Sequence, residues 1–139
     1  MVVDYQSWVD YYDDMHLIQH TEAPVFAAGD TSVIGYAAPS RGAAQVSLWR
    51  IELAPGSTSP LHYMDCEEVF LGLEGSAVAT VEGSEHTLGA GDCLILPAGT
   101  PFTFHVPGTD PFHALACIPT GGQATMVDSG MTFAPPWTE

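Results

Sequence analysis

Residues 56–75 read Gly-Ser-Thr-Ser-Pro-Leu-His-Tyr-Met-Asp-Cys-Glu-Glu-Val-Phe-Leu-Gly-Leu-Glu-Gly, and residues 91–106 read Gly-Asp-Cys-Leu-Ile-Leu-Pro-Ala-Gly-Thr-Pro-Phe-Thr-Phe-His-Val. In each stretch glycine and proline bracket a β-rich run. Pro55-Gly56 and Gly75 stand where tight turns need a fixed or a positive φ, and Pro97 precedes Gly99 in a loop that re-aims the next strand. The same punctuation extends outward from about residue 24. Runs at 31–36, 45–54, 68–73, 76–82, 85–88, 93–96, 102–106 and 112–118 are separated by turn signals such as Glu82-Gly83, Ala90-Gly91-Asp92 and Pro107-Gly108. Short strands at this spacing predict an all-β barrel or sandwich. After residue 20 no segment has the length of a helix that crosses over between parallel strands.

The two stretches resemble the paired signature motifs of the cupin superfamily, small jelly-roll barrels built as a double-stranded β-helix. The first family motif runs glycine, five residues, histidine, one residue, histidine, three or four residues, glutamate, six residues, glycine. Gly56, His62, Met64, Glu68 and Gly75 stand at those places, with Met64 in place of the second histidine. The second motif runs glycine, five residues, proline, one residue, glycine, two residues, histidine, three residues, asparagine. Gly91, Pro97 and Gly99 match it, while Phe102 and Val106 replace the histidine and the asparagine. Residues 83–92 look like the turn and strand that separate the motifs. The resemblance covers roughly residues 45–118 and implies a cupin-type barrel. It also implies a divalent iron, manganese, nickel or zinc ion held inside by His, His, Glu and His, a set of which His62 and Glu68 are present.

Around that barrel, assigned to residues 21–120, the ends have a different character. Tyr5, Trp8, Val9 and Tyr12 recur at helical spacing, so residues 1–20 are expected to form an N-terminal arm or short helix. Residues 121–139, with Gly121-Gly122 and Pro135-Pro136-Trp137, are expected as an irregular tail packed on the barrel. Tyr5, Trp8 and Trp137 should cover apolar barrel surface or a subunit interface. The resemblance, with these aromatic ends and exposed sheet edges, implies a homodimer.

Composition narrows the partners. The chain has 139 residues, 46 % apolar and 14 % charged, which suits one domain with one core and excludes a wholly disordered chain. Two basic residues, Arg41 and Arg50, stand against 17 acidic ones, for a net charge of −15. Such a chain cannot neutralise a row of phosphates, so nucleic acid is excluded as a partner, and anionic membrane surfaces repel it. It has no run of 18 apolar residues, and the N-terminus lacks the basic and apolar regions of a secretory signal. Cys66, Cys93 and Cys117 form no Cys-x-x-Cys pair and leave one thiol over in any pairing scheme. A soluble cytoplasmic protein with free thiols is expected.

The candidate site centres on His62 and Glu68. Residues two apart on a strand share a face, so the motif register turns positions 62, 64 and 68 inward, and the period carries that face to 70, 102 and 104. Met64, Phe70, Phe102 and Phe104 are then apolar walls around His62 and Glu68, which can act as general base and orienting carboxylate, or as an incomplete metal-ligand pair. The cofactor is either none or one divalent transition metal, in which case His113 or Cys117 should complete the shell. His113 is placed among the pocket residues on that basis, although the facing of strand 112–118 stays open. His105 lies at an odd offset from Phe102 and should point outward. The Trp49, Ile51, Leu53 alternation reads as core, with Arg50 and Glu52 on the other face, and Cys93 and Cys117 read as small core residues. Negative neighbours should raise the Cys66 thiol. His16 and His20 are expected to be ordinary solvated histidines.

The function expected from these residues is binding of a small apolar or aromatic molecule in the barrel, with acid–base chemistry of the isomerase, cyclase, dehydratase or lyase type. The alternatives are a non-catalytic ligand-binding barrel and a metal-dependent cupin with an unusual ligand set.

Overall fold

The computed structural model describes residues 15–139. The expected N-terminal helix, with Tyr5, Trp8, Val9 and Tyr12, lies outside the described residues. From there the chain forms twelve strands: β1 (Val25–Ala28), β2 (Thr31–Ala37), β3 (Val46–Leu53), β4 (His62–Met64), β5 (Glu68–Glu74), β6 (Ala77–Val81), β7 (Ser84–Leu88), β8 (Cys93–Leu96), β9 (Phe102–His105), β10 (Phe112–Pro119), β11 (Ala124–Met126) and β12 (Thr132–Phe133). They make two six-stranded sheets, ordered β1-β2-β3-β10-β5-β8 and β12-β11-β4-β9-β6-β7, with every pairing antiparallel. The protein is therefore all-β, a jelly roll of two facing sheets. Among the described residues no helix is long and apolar enough to cross a membrane.

Strand alternation builds the core. On β10 the residues Phe112, Ala114, Ala116 and Ile118 are buried between the sheets, and His113, Leu115 and Cys117 take the other face. On β5 Glu68 and Phe70 point inward while Val69 and Leu71 point out. Phe70, Phe102 and Phe104 pack edge to face, with ring centroids 4.9–5.8 Å apart, each pair contributing about 0.5–1.5 kcal/mol beyond its buried area.

The motif glycines hold the two halves together. Gly75 has φ +70°, and a Cβ there would run into the Pro111 carbonyl, so the turn after β5 admits no side chain. Gly99, at φ +78°, donates its N–H to the Met64 carbonyl over 2.7 Å and so ties the loop before β9 to β4.

The expected irregular tail contains regular structure. β11 pairs with β4 in the register Ala124 to Met64 and Met126 to His62, adding two short strands to the second sheet. A 3-10 turn at Pro136–Thr138 follows, held because the buried Ser47 hydroxyl donates to the Thr138 carbonyl over 2.8 Å and Arg41 donates to the Trp137 carbonyl over 3.3 Å. Backbone partners were available on the free edge of β4, and this pairing outweighed the weak strand propensity of the glycine-rich segment.

Candidate active site

Between the sheets lies a cavity of about 470 Å³, within the usual range for small-molecule sites. β3 supplies Trp49, Ile51 and Leu53, β4 supplies His62 and Met64, β5 supplies Glu68 and Phe70, and β9 supplies Phe102 and Phe104. Residues near the two ends of the described chain complete the wall: Phe26, Met126, Phe133 and Trp137. Met64, Phe70, Phe102 and Phe104 therefore line one cavity with His62 and Glu68. Because His62 and Phe102 are register partners on β4 and β9, their rings lie 4.5 Å apart, and the imidazole stands against an aromatic face.

His113 is corrected by the structure. The inward positions of β10 are even-numbered, so His113 and Cys117 lie on the outer face and cannot complete a shell around His62 and Glu68. There the His113 ring meets Arg50 at 3.2 Å and the Glu52 and Glu74 carboxylates at 3.8 Å each, and Arg50 also reaches Glu74 at 4.0 Å. Cys93 is exposed and so is no core residue; it and Ile95 share the outer face of β8. His105 points outward to Thr58, 2.9 Å away. The Cys66 thiol is pushed up to about 11, chiefly by burial, with Asp65 and Glu68 adding to it.

The two titratable groups of the cavity are perturbed in opposite senses. Glu68 is 4 % exposed, its Oε1 has no hydrogen-bond partner, and burial pushes its carboxyl up to about 8. At neutral pH most of it is the uncharged acid. Burial lowers the His62 imidazole below its usual value, against a smaller opposing effect of its hydrogen bond to the Pro60 carbonyl. That bond is 2.7 Å from Nδ1; a carbonyl oxygen only accepts, so the neutral ring carries its proton on Nδ1 and keeps the lone pair on Nε2. A neutral base and a neutral acid thus face one apolar space. Trp137 Nε1 is the other buried side-chain atom without a partner among the described residues, its ring against Phe26 and Trp49 at 6.3 and 6.5 Å.

These residues do not fit the metal that the motif resemblance implies. His62 and Glu68 offer one nitrogen and one carboxylate. Met64 adds a soft thioether, and Phe102 supplies carbon where a third hard or borderline donor would stand. Among the described residues no cluster of three or more His, Cys, Asp or Glu is placed to hold an ion.

Reasoning from the sequence missed Trp137, Met126, Phe133 and Phe26 as wall residues. The Ala124, Met126 alternation was a usable sign of a strand with an inward face, but nothing local says that β11 joins β4.

Known proteins resemble this chain in fold and in part in sequence. The polyketide cyclase RemF from Streptomyces resistomycificus superposes with a TM-score of 0.73 at 20 % identity, covering 88 % of each chain. A sugar phosphate isomerase of the cupin superfamily from Silicibacter pomeroyi gives 0.64 at 23 % identity, over 79 % of this chain and 77 % of that one. Auxin-binding protein T85 of Nicotiana tabacum is 32 % identical over 69 residues, 50 % of this chain and 37 % of that protein. This chain thus matches little more than a third of that relative's length. The family model for the cupin domain matches residues 49–118, which takes in both glycine and proline motifs and half of the chain. The chain belongs to the cupin family.

Proposed function

We propose that this cupin binds a small, largely aromatic molecule in its barrel and carries out acid–base chemistry on it, of the isomerase, cyclase, dehydratase or lyase type. The observation that carries this reading is the pairing, in one apolar cavity, of an uncharged imidazole with a carboxyl held protonated by burial. His62 Nε2 takes a proton from carbon beside a carbonyl. Glu68 gives its proton to the carbonyl oxygen as negative charge develops there, so the intermediate is a neutral enol and the cavity never holds a bare oxyanion. Return of the two protons at other positions completes an isomerisation or sets up elimination or ring closure. No divalent metal takes part in these steps. The fold likeness to a polyketide cyclase and a sugar phosphate isomerase agrees with chemistry of this kind in such a barrel, and the aromatic walls favour the aromatic class of ligand.

The test uses 2-tetralone in heavy water. The wild type should accelerate exchange of the protons beside the carbonyl, read by proton NMR, and His62→Ala and Glu68→Gln should each lower that rate roughly 100-fold. Exchange that both variants support as well as the wild type would reduce the pair to a structural role.

A second reading, a ligand-binding barrel without turnover, is favoured by the sequence likeness to proteins named for binding auxin. Tight binding of the probe with no accelerated exchange would select it. We further propose that the protein works as a homodimer in the reducing cytoplasm, with its three cysteines as free thiols. Light scattering showing a monomer at micromolar concentration would refute the dimer.

A further inference from the structure

We infer that the cavity selects uncharged ligands: its natural ligand is a neutral aromatic molecule bearing a carbonyl or other oxygen acceptor, and aromatic carboxylates are rejected. This rests on the proposed role of the cavity as a small-molecule site and names the class of molecule it takes.

The chain has only two Lys or Arg side chains, and the structure commits both elsewhere. Arg41 donates through Nε to the Tyr36 carbonyl over 2.9 Å and through a terminal nitrogen to the Trp137 carbonyl, so it holds the C-terminal segment in place behind the cavity wall. Arg50 lies on the outer face of β3, among His113 and Glu74. Neither lines the cavity. Of the titratable groups that do line it, His62 is held neutral by burial, and Glu68 is the other. A carboxylate entering this space would lose its hydration and find neither Lys nor Arg in the lining to offset that cost. The net charge of −15 opposes its approach from solution as well.

A carbonyl oxygen has the opposite balance. It costs less to desolvate, and the protonated Glu68 supplies a donor for it. The cavity can therefore meet the needs of a ketone, whereas it has no cation to offset the desolvation of an anion. The aromatic walls at Trp49, Phe70, Phe102 and Phe104 supply the shape and the apolar area for a ring system but no discrimination by charge.

Two probes of nearly the same shape separate these cases: 1-acetylnaphthalene, which is neutral, and 1-naphthoate, which carries a charge at the same position. Calorimetric titration of the intact protein near pH 7.5 should show the ketone binding at least about tenfold more tightly. The naphthoate affinity should rise by about tenfold for each unit that the pH is lowered from 8 to 6, because only the uncharged acid is accepted, while ketone binding changes little. Naphthoate binding as tight as the ketone's in the wild type, with or without added Zn²⁺, or independent of pH, would overturn the inference while leaving the cavity's binding role intact. Failure of both probes to bind would overturn the binding role together with the inference.

Discussion

His62 and His113 each lie on a strand of the barrel, and they differ in which face of a sheet they occupy. His113, on the outer face of β10, has Arg50, Glu52 and Glu74 within 4.0 Å, so the polar groups there have partners beside them. His62 and Glu68, on the inner faces of β4 and β5, have between them one backbone hydrogen bond, to Pro60, and an orphaned carboxyl oxygen. Both sites hold histidine and glutamate, but only the outer one adds an arginine. Groups that satisfy one another at a wet surface keep little free energy for anything else, whereas groups left unpaired in an apolar space are poised to exchange protons with whatever enters it.

The comparison breaks first on proton transfer. Replacing His62 by Ala or Glu68 by Gln should cost roughly two orders of magnitude in exchange on 2-tetralone, and His113→Ala should cost nothing measurable, because His113 does not line the cavity. Equal loss in all three variants would show that the inner pair has no privileged role.

A comparably large effect is expected on metal affinity. Phe102→His would give the cavity a third nitrogen or oxygen donor beside its register partner His62. Zinc or nickel binding, followed by titration and by elemental analysis, should tighten about 100-fold over the wild type. Equally tight stoichiometric metal in the wild type would restore the metal-dependent reading.

Stability against pH offers the next contrast. Glu68 ionises near 4.5 in the unfolded chain and near 8 when folded, so the folded state holds the proton more tightly. Its contribution to stability is fully present below pH 4.5 and is lost as the pH rises through the folded value, levelling off above about 8. His62, lowered from 6.5, acts with the opposite sign below that value. Denaturation should therefore be compared between pH 6.5 and 8.5, where the wild type should lose up to about 2 kcal/mol and Glu68→Gln distinctly less. Parallel curves for the two proteins would show that the acid is ionised in the folded state.

The smallest effect belongs to the outer cluster. His113→Ala should change stability by no more than about 1 kcal/mol, with a difference that shrinks in high salt, as for ion pairs near a surface. A larger, salt-independent loss would mean that the outer cluster is as buried energetically as the inner pair.

Several features follow from local sequence. Glycines and prolines at 55–56, 75, 97 and 99 demand turns whatever surrounds them, and alternation on β3, β5 and β9 assigns faces once those strands exist, so the all-β fold and the inward direction of Met64, Glu68, Phe70, Phe102 and Phe104 were legible. The replacement of a family histidine by Phe102 was equally plain. Three matters depended on contacts between distant segments. Alternation alone leaves the face of β10 open by one residue, and it was settled by pairing with β3 and β5, which sends His113 out to Arg50. The tail became a sheet edge because β4 had backbone groups to satisfy, and Trp137 entered the cavity wall through bonds made to Ser47 and Arg41 some 90 residues away. The upward shift of the Glu68 carboxyl likewise comes from its burial in the folded barrel. Turn chemistry acts over a few neighbouring residues and can be read along the chain, but the face of a strand, the closure of a cavity and the loss of water around a carboxyl are set by parts of the chain that meet only when it folds.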